Sequence, residues 1–210
     1  MNKYGVRHGL RYAGTVLSHP IQGFYDMRFE NKGNIVSCFI LLALMISAFI
    51  FQRQYTGFIF STTNPKWFNV LREVVNVVVP VLLWCAANWS ITVLMDGEGR
   101  FADIFMATCY ASVPYTVCAF LGVLATRFMS LEEAMFVGIL NGLGMFFTAV
   151  LLFSGIMTIH QYSVSKTVAT IIITLSGMAF IAFLTLLFAG MMDNLIRYVL
   201  GIITEIQLRM

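Results

Sequence analysis

Residues 82–115 read LLWCAANWSITVLMDGEGRFADIFMATCYASVPY, and this stretch decides the fold. An apolar run arrives from upstream, ends at Met95, gives way to DGEGRF at residues 96–101, and a second apolar run follows. Neither run alternates apolar and polar residues as a half-buried strand would. Each is long enough to cross a bilayer as a helix, which takes about 20 mostly apolar residues. In lipid a helix satisfies its own backbone hydrogen bonds, whereas an open strand leaves them unpaired. The stretch is therefore two spanning helices joined by a tight polar loop.

Outward from this pair, further apolar runs complete a set of five spans, at about 34–51, 74–95, 104–125, 134–158 and 167–192. Pro80 and Pro114 fall inside the second and third spans, where kinks are expected, with Ser112, Thr116 or an adjacent helix replacing the lost donor. Composition agrees. Of 210 residues, 59% are hydrophobic and only 11% charged, where soluble domains carry roughly 25% charged residues. The fold class is all-α, a polytopic transmembrane bundle with amphipathic helices at both ends. It divides into a cytoplasmic leader at 1–33, a five-span domain at 34–192 and a tail at 193–210. The leader has no cleavable signal pattern. In it Val6, Leu10, Ala13 and Leu17 recur at helical spacing, and His19-Pro20 ends that helix. In the tail, Leu195, Ile196, Val199, Ile202, Ile203 and Ile206 share a face, the pattern of a helix lying in the membrane interface. The leader is read the same way.

The net charge is +3 and the basic residues are scattered, which excludes the concentrated basic face of a nucleic-acid binder. Lys3, Arg7, Arg11, Arg28 and Lys32 precede the first span, and Arg53, Lys66 and Arg72 lie in the first loop. By the positive-inside rule the leader favours a cytoplasmic N-terminus. Five spans then put the C-terminus on the opposite side. In that topology the leader and the loops at 96–103 and 159–166 share one face. Trp67 and Phe68, in the opposite loop, are expected interfacial anchors.

No catalytic signature is present. DGEGRF lacks the phosphate-binding pattern. Asp96 and Glu98 are close enough in sequence to hold a divalent cation, which wants six or more oxygens, or to pair with Arg100 in a solvated turn, the plainer reading. His160, in IHQYSVSK, acts as base or ligand only if Asp96, Glu98 or Asp26 approaches it; otherwise it is an interfacial hydrogen-bonder. No ionisable residue lies deep in a span, which argues against a proton-driven pump. Asn76, Asn88, Ser90, Thr108, Ser112 and Asn141 either line a neutral groove or hydrogen-bond between helices. The small-residue pairs Gly138/Gly142 and Ala86/Ser90 are expected to pack within the bundle, with an oligomer left open. Cys38, Cys85, Cys109 and Cys118 lie in apolar runs without metal spacing and read as small hydrophobes. No cofactor is expected.

The leader segment HPIQGFYDMRFENKGN, the quoted pair of spans and the later stretch LLFSGIMTIHQYSVSKTVATI together resemble the Yip family of five-span membrane proteins (Ypt-interacting proteins), in its bacterial branch, from about 19 to 190. The resemblance implies a cytoplasmic N-terminus. Eukaryotic members work in Golgi and endoplasmic reticulum traffic and associate with Rab-type GTPases and with one another. This leader is too short for an independently folded domain of that kind. Bacterial relatives occur among genes for sugar-uptake ABC transporters, which implies a bacterial plasma membrane location, an ABC transporter component as partner and an accessory role. The positions carried over are His19, Pro20, Asp26, Asp96, Gly97, Glu98, Gly99, Arg100 and His160, with no chemistry attached.

Three functions follow in order. The first is a non-enzymatic membrane adaptor or scaffold; the second is a lipid- or small-molecule-handling protein, scramblase or transporter-like; the third is a metal or catalytic site built from His160, Asp96 and Glu98.

Overall fold

The computed structural model describes residues 5–56 and 69–209. Lys3, Lys66, Trp67 and Phe68 fall outside them. The described chain is helical: α1 (Val6–Ser18), α2 (Pro20–Phe29), α3 (Ile35–Tyr55), α4 (Val70–Leu94), α5 (Phe101–Ala111), α6 (Val113–Ala125), α7 (Ala134–His160) and α8 (Val164–Arg209). α3, α4, the α5–α6 pair, α7 and α8 are long and apolar enough to cross a membrane, giving five spans.

Local chemistry sets their ends. The side chains of Asn34 and Asn69 cap α3 and α4, accepting from the amides of Val36 and Leu71 at 2.9 Å each. Pro20 stands in the first turn of α2, where its missing N–H costs nothing. Asp96 and Gln161 take left-handed φ angles of 56° and 54° and stop α4 and α7. At the first of these, Gly97 N–H donates back to Thr92 C=O at 2.7 Å, the closing bond of a helix C-terminal cap.

The third span crosses in two pieces, interrupted at Ser112 with Pro114 in the first turn of α6. The interruption leaves Tyr115 N–H to find an acceptor, and Thr148 Oγ1 of α7 supplies it at 3.2 Å. The adjacent helix thus supplies an acceptor for the Tyr115 N–H beside Pro114 rather than the donor that the proline lacks. α4, by contrast, runs through Pro80 as one helix.

The leader departs from its expected place on a membrane surface. α1 and α2 fold against each other and pack onto α3, α5 and α7. Gly9, Tyr12, Ala13 and Val16 of α1, and Gly23, Phe24 and Met27 of α2, are buried. The buried stripe is one step around from Val6, Leu10, Ala13 and Leu17, because tyrosine and glycine belong to it. Tyr12 Oη donates to Gly23 C=O at 2.6 Å, and Tyr110 Oη of α5 donates to Gly9 C=O at 3.1 Å. Burial, then Asp26, pushes the Tyr12 phenol up to about 12, so it stays a donor.

α8 is held to α4 by a seam of small polar residues. Thr167, Thr170 and Thr174 are fully buried, and Asn88 Nδ2 donates to Thr174 Oγ1 at 3.2 Å. Beyond Ala182 every described side chain of α8 is exposed. The tail does not turn at 193. It continues α8, whose 46 residues span about 69 Å at about 1.5 Å per residue, more than twice a hydrocarbon core of about 30 Å.

The small-residue pairs do not pack as expected. Gly138 and Gly142 have no neighbour within 4 Å of a built Cβ, and Ser90 is exposed. The close crossing of α6 and α7 is instead at Gly144, where a Cβ would stand 2.7 Å from that of Cys118. Cys38, Cys85 and Cys109 are buried in the core and Cys118 is half-buried, all as free thiols.

Candidate functional site

The α1–α2 pair, the loop at 95–100 and the turn after α7 meet at one end of the bundle. The residue that joins them is Arg28, near the end of α2. Its Nη1 donates to Ile159 C=O, and its Nη2 donates to Glu98 C=O at 2.9 Å and approaches Glu98 Oε2 at 3.2 Å. The Arg28 side chain is 12% exposed and the Glu98 side chain 62%. Most of the ion pair is therefore screened by water, and the two carbonyl contacts are the stronger anchors.

Under this clamp the loop lies against the turn. Gly99 N–H donates to His160 Nδ1 at 3.2 Å, which makes Nδ1 the unprotonated nitrogen and leaves the proton on Nε2. Tyr162 stacks on His160 at 5.3 Å, donates to Met95 C=O at 3.0 Å and carries the Lys166 ammonium 4.3 Å over its ring. Burial, with Asp96 second, raises the Tyr162 pKa and keeps it a donor. Both glycines are required by this contact. A Cβ on Gly97 would meet Tyr162 Oη at 2.6 Å and His160 Nδ1 at 2.7 Å, and one on Gly99 would meet His160 Cε1 at 2.6 Å.

The structure thus brings Gly97, Glu98, Gly99 and His160 together. Asp26 belongs to the rim: its carboxylate holds Lys32 at 2.8 Å, and Glu30 holds the same ammonium at 2.6 Å. The hydrogen bonds to Asp26, then Glu30, raise the Lys32 pKa. His19 and Pro20 form the turn between α1 and α2, and among the described residues no hydrogen bond ties either side chain to the two loops. The expected pairing of Asp96 and Glu98 with Arg100 is not formed. Glu98 pairs with Arg28, and Arg100 makes no ion pair among the described residues.

A metal or catalytic reading of His160 with Asp96 and Glu98 finds no support in this geometry. His160 Nδ1 is taken by Gly99, Glu98 turns toward Arg28, and no three His, Cys, Asp or Glu gather among the described residues. Sequence reasoning counted Arg28 as a flanking charge and missed it as the clamp. It missed Tyr162 altogether. The one available signal was that Arg28 and Tyr162 lie in the same stretches as carried-over positions, each two residues past one of them, Asp26 and His160.

The intramembrane polar residues do not line one groove. Asn88 reaches α8, Asn141 Oδ1 lies 3.5 Å from Gln52 Nε2, and the Thr108 and Ser112 hydroxyls donate to carbonyls of their own helix. A cavity of about 420 Å³ does open beside the α5–α6 interruption, lined in part by Met45, Tyr115, Asn141 and Thr148.

A five-span helical membrane protein with its N-terminal helices docked on the bundle is the class this architecture defines. The Yip1 domain family matches residues 14–187, most of the chain, and the protein belongs to that family. No curated protein and no solved structure matches it.

Proposed function

We propose that the chain is a non-enzymatic integral membrane adaptor of the Yip type, whose platform of leader and loops docks another membrane protein. Its role is accessory to a membrane transport complex, and an ABC transporter component is the partner the family resemblance favours. The observation that carries this reading is the Arg28 junction, which fixes three segments distant in sequence into one polar surface. A pre-formed surface suits docking because ordering mobile loops at an interface costs affinity. The basic residues ahead of the first span favour a cytoplasmic platform with the C-terminus opposite, and the resemblance to the bacterial branch of the family favours a bacterial plasma membrane as its site.

Photo-cross-linking residues placed at Gln22 and Ser165 test this, with Arg127 and Thr204 at the other end as controls. In native membranes the first two are expected to capture a recurrent protein and the controls are not. Lipid adducts alone at all four positions would remove the adaptor reading.

The cavity beside the α5–α6 interruption favours a second reading, a lipid- or small-molecule-handling protein, because broken helices in membranes are tolerated where they line a cavity. Labelled lipid in proteoliposomes moving no faster than in protein-free vesicles would dispose of it.

A further inference from the structure

A second feature of the same end is a polar pocket of about 310 Å³ between the end of α2 and the start of α5. Arg28, Phe29, Asn31, Glu98, Arg100 and Asp103 line it. Its lining is balanced in charge, with two arginines and two acidic residues, of which Arg28 and Glu98 already pair with each other at 3.2 Å. The charges are not all consumed internally. Arg100 forms no ion pair among the described residues, the Glu98 side chain is 62% exposed, and the Asp103 carboxylate accepts from the Arg100 amide at 3.2 Å.

Such a pocket discriminates by charge pattern. An anion meets two carboxylates, and a cation meets two guanidiniums. A ligand bearing a phosphate and an ammonium a few bonds apart satisfies both signs of charge. Arginine binds phosphate oxygens through parallel N–H donors, and carboxylates accept from a primary ammonium. A quaternary ammonium has no N–H to give and instead seeks an aromatic face. Among the described residues the ring that lines the pocket, Phe29, has one face covered by Arg28, whose Cζ stands 4.6 Å from the ring centroid, and no second ring lines it to complete an aromatic cage. The pocket therefore selects an ethanolamine-type over a choline-type group.

Its surroundings point to a lipid as the source of that group. Phe29 and Tyr25 pair at 4.6 Å, Phe101 sits beside Arg100 and meets Trp89 edge-on at 6.5 Å, and all four rings are exposed. Exposed aromatic rings at the ends of spans mark the headgroup level of a bilayer.

We propose that this pocket binds the headgroup of a zwitterionic aminophospholipid, with Arg100 on the phosphate, Glu98 and Asp103 on the primary ammonium, and Arg28, committed to Ile159 and Glu98, holding the wall of the pocket. The site stands independently of the adaptor reading and of the cavity beside α6.

Native mass spectrometry of the full chain in detergent tests it, with phosphatidylethanolamine, phosphatidylcholine and phosphatidylglycerol offered in turn at equal concentration. The wild-type chain should retain the ethanolamine lipid about tenfold better than either of the others. Arg100→Ala should lower that retention about tenfold. Glu98→Gln combined with Asp103→Asn should turn the preference to phosphatidylglycerol, since only the cations remain. Equal retention of the three lipids by the wild-type chain, or a preference for phosphatidylglycerol, overturns the proposal without any variant. Glycerophosphoethanolamine competing as well as the whole lipid would assign the pocket to a soluble ligand and overturn the lipid assignment.

Discussion

Gly97 and Gly99 have φ angles that any residue can adopt, so what keeps them glycine is proximity. The loop backbone lies directly on His160 and Tyr162, and no side chain fits between. Gly97→Ala should lower stability by about 1–3 kcal/mol through overpacking, whereas Gly138→Ala, with nothing within 4 Å, should cost nothing. Thermal unfolding in detergent compares the two. Arg28→Gln removes charged donors from two carbonyls at a mostly buried position and should cost about 2–3 kcal/mol. Glu98→Gln, at an exposed carboxylate, should cost less than about 1 kcal/mol. The glycines and His160 were visible as candidates because a loop so short between two spans leaves few residues to consider. Arg28 was not, because nothing local to PIQGFYDMRF says which of its polar residues will turn inward. That depends on α2 docking against α7, a contact far away in sequence.

Among the elements, the first four spans were legible to within a few residues of their ends, since apolar length is a local property and lipid imposes it uniformly, whereas α8 runs on to Arg209, well past the expected end near 192. The interruption of the third span was legible at Pro114, but its partner was not. Thr148 looks like any other polar residue in an apolar helix, and its acceptor role exists only where α7 crosses α6. Thr148→Val keeps the shape, strands the Tyr115 N–H and should cost about 1–3 kcal/mol. Ser47→Ala should be near neutral, because Ser47 Oγ is exposed and donates to Leu44 C=O within its own helix. Unfolding midpoints of the two variants in the same detergent make the comparison. The seam of Thr167, Thr170 and Thr174 was readable in principle, as a helical spacing of hydroxyls within an aliphatic run. The leader misled for a different reason. An amphipathic helix beside a membrane presents the same sequence pattern whether its apolar face meets lipid or protein, and Tyr12 and Gly9 are not counted as apolar anchors by a hydropathy reading.

At the scale of the molecule, one geometric fact organises the rest. With α3, α4, α5–α6, α7 and α8 each crossing once, the leader, the 95–100 loop and the 160–163 turn are brought to the same end, and the contacts at Arg28, Gly99 and Tyr162 join them there. The family match covers residues 14–187, so it takes in α2, the 95–100 loop and the 160–163 turn and leaves out the first part of α1 and the tail. The central claim is that these three segments form one surface on the cytoplasmic side. Single cysteines at Thr15, Asp96 and Ser165, with Arg127 and Thr204 as counterparts, test it through labelling by a membrane-impermeant maleimide in intact and permeabilised cells. The account predicts that the first three react only after permeabilisation and the last two react in intact cells. Thr15 and Ser165 reacting from opposite sides would contradict it.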